Sequence, residues 1–291
     1  MKIIKADNFN NIYIQILEKI SEEGQFIGKT RDISELSFCL TNPRKFQLFY
    51  KKNWMWAYVE LLDRFSGMNP GTAYQYRPNW EKKLKKEGGT FDYSYGEVWE
   101  DQLPNIIGLL KKSKNSREAI MTMWNPVYLI RQQHFKRRPC TLTYHFYIRD
   151  KKVNLSVNMR TNDVINLLPY DVLHNCILLD YVCASLSLGR GHYYHHATHA
   201  YWPKRREQNN QKYIKEALKK LKETEKYHDH DFPGIENLED LEILKSIWYN
   251  DWSNFSTEKI KDKFIFNWAQ LILNYQKNKN LTNELMYLEE L

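Results

Sequence analysis

RRPCTLTYHFYIRDKKVNLSVNMRTNDVINLLPYDV, residues 137–172, is the stretch on which the reading of the whole chain turns. Leu142, Tyr144, Phe146 and Ile148 alternate with polar neighbours, and so do Val153, Leu155, Val157 and Met159. Period two places successive side chains on opposite faces, so 141–149 and 153–159 are expected to be strands with one face in a core, joined at Asp150-Lys151-Lys152. Arg160-Thr161-Asn162-Asp163 follows the second strand. From Asp171 the pattern changes to Val172, Cys176, Leu179, Val182 and Leu186, the spacing of a helix predicted over 171–188.

Working outward, residues 8–22 carry Phe9, Ile12, Ile16 and Ile20 at helical spacing and run towards Gly24. Ile33, Leu36, Phe38 and Leu40 then mark a strand with one irregularity, expected to be a bulge, closed by Asn42-Pro43. A helix over 52–66 presents Trp54, Tyr58, Leu61, Leu62 and Phe65, with Glu60 between apolar neighbours, before Gly67. Residues 68–94 form a long Pro-, Gly-, Tyr- and Lys-rich excursion of the kind that often walls a site. A helix over 101–112 comes next. Beyond Trp202, three helices are expected at 207–227, 238–251 and 257–276, the last two rich in Trp248, Trp252, Phe264, Phe266 and Trp268.

The 291 residues suffice for one large core, and an apolar share of 42% excludes wholesale disorder. No run of about 18 apolar residues occurs, and MKIIKADNFNN lacks a signal-peptide apolar block, so a cytoplasmic protein without a membrane partner is expected. The four cysteines, at 39, 140, 176 and 183, show neither metal-site spacing nor a disulfide framework. The net charge of +8 favours an anionic partner. A nucleotide phosphate, nucleic acid, or simply solvated runs such as Lys82–Lys86 and Lys204–Lys226 account for it equally. His192, His195, His196 and His199 lie close in sequence, but only a helix would let His195 and His199 clasp an ion, and tyrosine-flanked 192–201 favours a strand. No metal is expected.

Pro139-Cys140, Arg160-Thr161-x-Asp163-Val164, Leu168-Pro169-Tyr170-Asp171 and His199-x-Tyr201, in this order and spacing, resemble the thymidylate synthase superfamily. Within it the chain looks most like the pyrimidine-nucleotide, specifically deoxycytidylate, hydroxymethylases. The resemblance covers residues 1–204 and implies an α/β (α+β) thymidylate synthase-like core, with a mixed, largely antiparallel sheet flanked by helices. Residues 205–291 would be a divergent helical C-terminal region packed on that core.

The resemblance also implies a chemistry. Pyrimidine C5 is a poor nucleophile until another nucleophile has added at C6, and a thiolate suits that task because it attacks readily and later leaves. Cys140 would be that nucleophile, Glu60 would assist proton transfers through water, and Asp171 would read the base. A carboxyl that accepts from the 4-amino group and, when protonated, donates to N3 complements cytosine. Arg160 and Thr161 would hold the phosphate, Asp163 would lie against nucleotide or folate, and His199 and Tyr201 would hold the sugar hydroxyl. Tyr95 belongs to a Tyr-Gly-x-x-Trp segment lining the substrate site, and Trp80 would line the folate pocket. Arg117 would reach the partner's phosphate in a homodimer, although Glu118 stands where a second arginine is expected and Thr141 where a histidine is.

The expected reaction is one-carbon transfer from 5,10-methylenetetrahydrofolate to C5 of a pyrimidine nucleoside monophosphate, dCMP favoured, giving the 5-hydroxymethyl product. Thymidylate synthase acting on dUMP is the alternative within the class. A catalytically lapsed, nucleic-acid-binding or regulatory relative is the alternative outside it. On the residues alone, Cys140 equally fits a buried apolar side chain, Glu60 the polar edge of a helix, and Asp171 a helix N-cap.

Overall fold

A computed structural model describes residues 3–45, 54–69, 71–76, 94–124, 138–203, 207–224, 234–250 and 257–277. The strands are β1 (Ile4–Ala6), β2 (Gln25–Ile27), β3 (Thr30–Leu40), β4 (Ile120–Thr122), β5 (Thr141–Arg149), β6 (Lys152–Met159), β7 (Asn162–Asp163) and β8 (Gly189–Pro203). Seven α-helices are described: α1 (Phe9–Glu23), α2 (Trp54–Phe65), α3 (Tyr95–Lys112), α4 (Leu168–Leu186), α5 (Glu207–Thr224), α6 (Leu238–Asn250) and α7 (Lys263–Lys277).

The strands form one sheet in the order β1-β3-β8-β6-β5-β4, with β2 beside β3 and β7 beside β8. Pairing is mixed: β1 with β3, β6 with β8 and β7 with β8 are parallel, and the other pairs antiparallel. Parallel β6 and β8 need a crossover, and α4 supplies it. That helix is buried almost all round, from Leu168 to Cys183, which explains why its sequence is nearly continuously apolar. One sheet face and the helices α1 to α4 share the core. The opposite face leaves Thr143, His145, Tyr147, Ser156, Asn158, His192, Tyr194 and His196 half-exposed.

Four expectations change in detail. The hairpin turn is only Asp150-Lys151, both at positive φ, with Arg149 already paired to Lys152; two left-handed residues match the twist of the flanking strands. The irregularity in β3 is Glu35 at φ 58, a kink without an extra residue, because the register with β8 is the same on both sides of it. Besides the β6–β8 register shift between Val153 and Leu155, a bulge lies in β5, where the register shifts between Thr141 and Thr143. It breaks the expected alternation, leaving Leu142 half-buried and Thr141 inward at 3% exposure. Finally, α3 begins at Tyr95, capped by the Ser94 side chain, so the Tyr-Gly-x-x-Trp segment forms the first turns of a helix predicted to start at 101.

The C-terminal helices pack on the core, α5 against α1, α6 against α4 and α7 against α2. Their last described residues are Thr224, Asn250 and Lys277, and Trp252 lies outside the described residues. No described helix is long and apolar enough to cross a membrane.

Candidate active site

Because β5 runs antiparallel to β6, the start of one lies beside the end of the other, and Thr141 pairs with Met159. Cys140 and Arg160 therefore meet: the Arg160 amide donates to the Cys140 carbonyl at 2.9 Å. The guanidinium folds over the same turn, donating through Nε to Pro139 O at 3.0 Å and through Nη2 to Arg138 O at 3.3 Å. Cys140 is half-buried. Burial pushes its thiol up, Arg160 pulls it down, and Asp171 and Asp163 raise it again. One cation and two carboxyls thus act on the sulfur, burial dominates, and Arg160 is the group that favours the thiolate.

Asp171 belongs to the first turn of α4, which starts at Leu168 rather than at 171. Its amide donates to Leu167 O within the helix ladder, so its carboxyl is not the N-cap. The loop before the helix is instead closed by Asp163, whose Oδ1 accepts from the amides of Ile165 and Asn166 at 3.1 and 2.9 Å. Asp171 Oδ2 accepts from Asn162 Nδ2 at 2.7 Å. Burial, only partly offset by Arg64 and this hydrogen bond, pushes Asp171 up to about 7. At pH 7 this half-buried carboxyl is therefore about half protonated, and its protonated form can both donate and accept.

Glu60 reaches the site from α2. Val59, Leu61 and Leu62 are each fully buried, so the helix is anchored around it. Glu60 Oε1 pairs with Arg64 Nη2 at 2.8 Å, one turn on. The Arg64 guanidinium lies 4.2 Å from the Tyr95 ring centroid, and the Tyr95 hydroxyl donates to Thr141 Oγ1 at 3.2 Å. From β8, Tyr201 is raised to about 12 by burial, then by Asp163 and Cys140. His199 is exposed beside it, with Nδ1 3.3 Å from Asp32 Oδ1.

Residues distant in sequence thus converge at one end of the sheet: Arg160, Asp163, Asp171 and Tyr201 within electrostatic reach of Cys140, Glu60 and Tyr95 joined to them through Arg64 and Thr141, and His199 exposed next to Tyr201 on β8. Thr161 is half-buried between Arg160 and β7. Arg117 is exposed on the connection between α3 and β4. Trp80 and Arg137 fall outside the described residues. His195 and His199 lie on a strand, and no cluster of three metal-ligating side chains occurs among the described residues.

Three residues were missed by sequence reasoning: Arg64, Asn162 and Asp32. Arg64 carried the readable signal, four residues after Glu60 on one helix. Asn162 and Asp32 acquire their partners only through tertiary contacts.

The thymidylate synthase family matches residues 11–266, and the chain belongs to that family. It is similar to a Methanocaldococcus jannaschii protein provisionally named thymidylate synthase, 26% identical over 204 residues, covering 68% of this chain and 88% of the relative. It is also similar to the deoxyuridylate hydroxymethyltransferase of Pseudomonas phage M6, 26% identical over 212 residues, 66% of this chain and 59% of that one. The thymidylate synthase of Mycoplasma genitalium is 28% identical over 106 residues, 35% of this chain and 36% of its own. Against the latter two the chain spans less than two thirds of the relative's length.

Proposed function

We propose that this protein transfers a one-carbon unit to C5 of a pyrimidine nucleoside monophosphate, dCMP favoured, and releases the 5-hydroxymethyl nucleotide. The observation that carries the reading is a half-buried cysteine bonded through its backbone to Arg160, near an Asp171 carboxyl that accepts from Asn162 and that burial raises. Cys140 Sγ adds to C6, and the electron pair displaced from the C5–C6 bond makes C5 nucleophilic. C5 would take up the carbon and lose its own proton, and departure of tetrahydrofolate with the carbon–nitrogen electron pair would leave an exocyclic methylene to which water adds. Glu60, held by Arg64, positions the water whose oxygen ends on the new carbon. Departure of the sulfur restores the ring double bond. Neutral Asp171 donates to N3 and accepts from the 4-amino group.

5,10-Methylenetetrahydrofolate supplies the carbon in this reading. Asp163, expected against the folate, is engaged with the turn into α4, so its part is to shape that wall. Arg160 and Thr161 at the end of β6, with Arg117 from the partner of a cytoplasmic homodimer, make up the phosphate site of the proposal. The half-exposed sheet face is the surface available for that pairing.

A second reading has its own support. A neutral carboxyl can equally accept from uracil N3–H and donate to O4, and the phage relative is named for deoxyuridylate. Mass spectrometry of products from dCMP, CMP and dUMP, each with the folate, decides between them. A gain of one hydroxymethyl group on dCMP is expected, and Cys140→Ala should abolish release of tritium from C5. Undiminished release by that variant rejects the mechanism. Salt-sensitive binding to nucleic acid with no turnover of any nucleotide would favour the lapsed relative.

A further inference from the structure

Helix α2 carries a cation where its surroundings are apolar. Arg64 is 6% exposed, with its guanidinium 4.2 Å from the Tyr95 centroid and 5.6 Å from that of Trp99. A buried charge of this kind persists only when matched. Glu60 Oε1, at 2.8 Å, matches it.

The titratable groups that act most on the pair come from other elements. From α4 come Asp171 and His174, from β5 Tyr144, from α3 Tyr95, and behind Asp171 lies Asp163. Asp63, next in the chain to Arg64, turns away to Thr72, Ala73 and Tyr249. His174 stays neutral because burial and then Arg64 oppose a second cation. Among the described residues, the buried cation of Arg64 thus acts on two carboxyls, Glu60 by direct contact and Asp171 through the field. Glu60 has the contact ion pair, whereas Asp171 receives a neutral amide from Asn162.

We infer that Arg64 is a positioning residue which assigns the two protonation states of the site, fixing the negative charge on Glu60 and leaving the proton on Asp171. Pushing apart two carboxyls that would otherwise compete for one proton lets a single site accept with one and donate with the other. The assignment rests on the proposed function only in taking both carboxyls to serve one nucleotide.

Its test needs no turnover. Carbon-13 carboxyl titrations of the full chain, assigned with Glu60→Gln and Asp171→Asn, are compared for wild type, Arg64→Met and Arg64→Lys. In Arg64→Met the Glu60 titration should move up by about one to three pH units, and Arg64→Lys should restore most of it. Should Arg64→Met fail to fold, Glu60→Gln reports from the other side. With Glu60 neutral, Arg64 is left to Asp171, whose titration should fall by about one pH unit or more. An unmoved Glu60 in folded Arg64→Met, or an unmoved Asp171 in Glu60→Gln, overturns the inference. In turnover, both limbs of the pH profile should shift upward in Arg64→Met and stay in place in Arg64→Lys, which a merely structural arginine would not produce. Shifted titrations with no turnover of any pyrimidine nucleotide would sink the proposed activity and leave this inference standing.

Discussion

The environment of Asp171 raises its carboxyl towards the range where enzymes work, so its chemistry carries a sign. Burial raises it to about 7, so the proton that would be given to N3 is present below that pH and lost above it. Turnover of dCMP should therefore fall as pH rises through about 7. Asp171→Asn replaces the carboxyl by an amide that donates and accepts at every pH. This variant should lose that alkaline limb and move the dUMP-to-dCMP ratio of kcat/KM by about tenfold or more, the worth of one hydrogen bond in a buried site. Steady-state kinetics between pH 6 and 9 check it, and a limb that survives the substitution would take Asp171 out of base reading.

At the scale of elements, the site depends on two devices that local pattern conceals. The β5 bulge turns Thr141 inward, where it meets the Tyr95 hydroxyl, and so sets the direction from which Cys140 enters. The C-terminal segment is keyed to the core at Gly234, which lies against the buried ion pair of Asp180 and Arg190; a Cβ there would strike both side chains. Gly234→Ala should consequently destabilise the protein by about 1–3 kcal/mol through overpacking. A lowered urea midpoint measures it, and an unchanged midpoint would mean that this junction yields freely. The pairing partner of Arg190 is visible only in three dimensions, since helix α4 and strand β8 bring the two together.

The molecule as a whole should be acid-labile. His174 and His195 are buried and neutral, each lowered to about 3 by burial first. In the unfolded chain they protonate near 6.5, so the unfolded state binds more protons as pH falls and stability is lost on the way down. Each contributes about 1.4 kcal/mol per pH unit in that window. Asp171 acts in the opposite sense, since its folded carboxyl keeps a proton that the unfolded one releases, and Asp63, also raised by burial, acts in the same sense as Asp171. Between about pH 5 and 6.5 two imidazoles outweigh one carboxyl. The thermal midpoint should fall from pH 7 to pH 5, and His195→Gln should flatten that fall; a pH-independent midpoint would contradict the burial of these rings.

Much of this was legible in the chain. Alternation placed β5 and β6, apolar spacing placed α1, α2 and α4, and the Pro-Cys and Arg-Thr-x-Asp motifs pointed to residues that do meet, because these signals are local and a strand or helix repeats its own geometry along the sequence. What the sequence could not supply was anything decided between elements. The Asp171 carboxyl is paired by Asn162 instead of capping its helix, Arg64 pairs with Glu60 and acts on Asp171, and Asp32 stands beside His199. Each depends on distances across the fold, and it is burial there, not residue type, that determines where a proton rests.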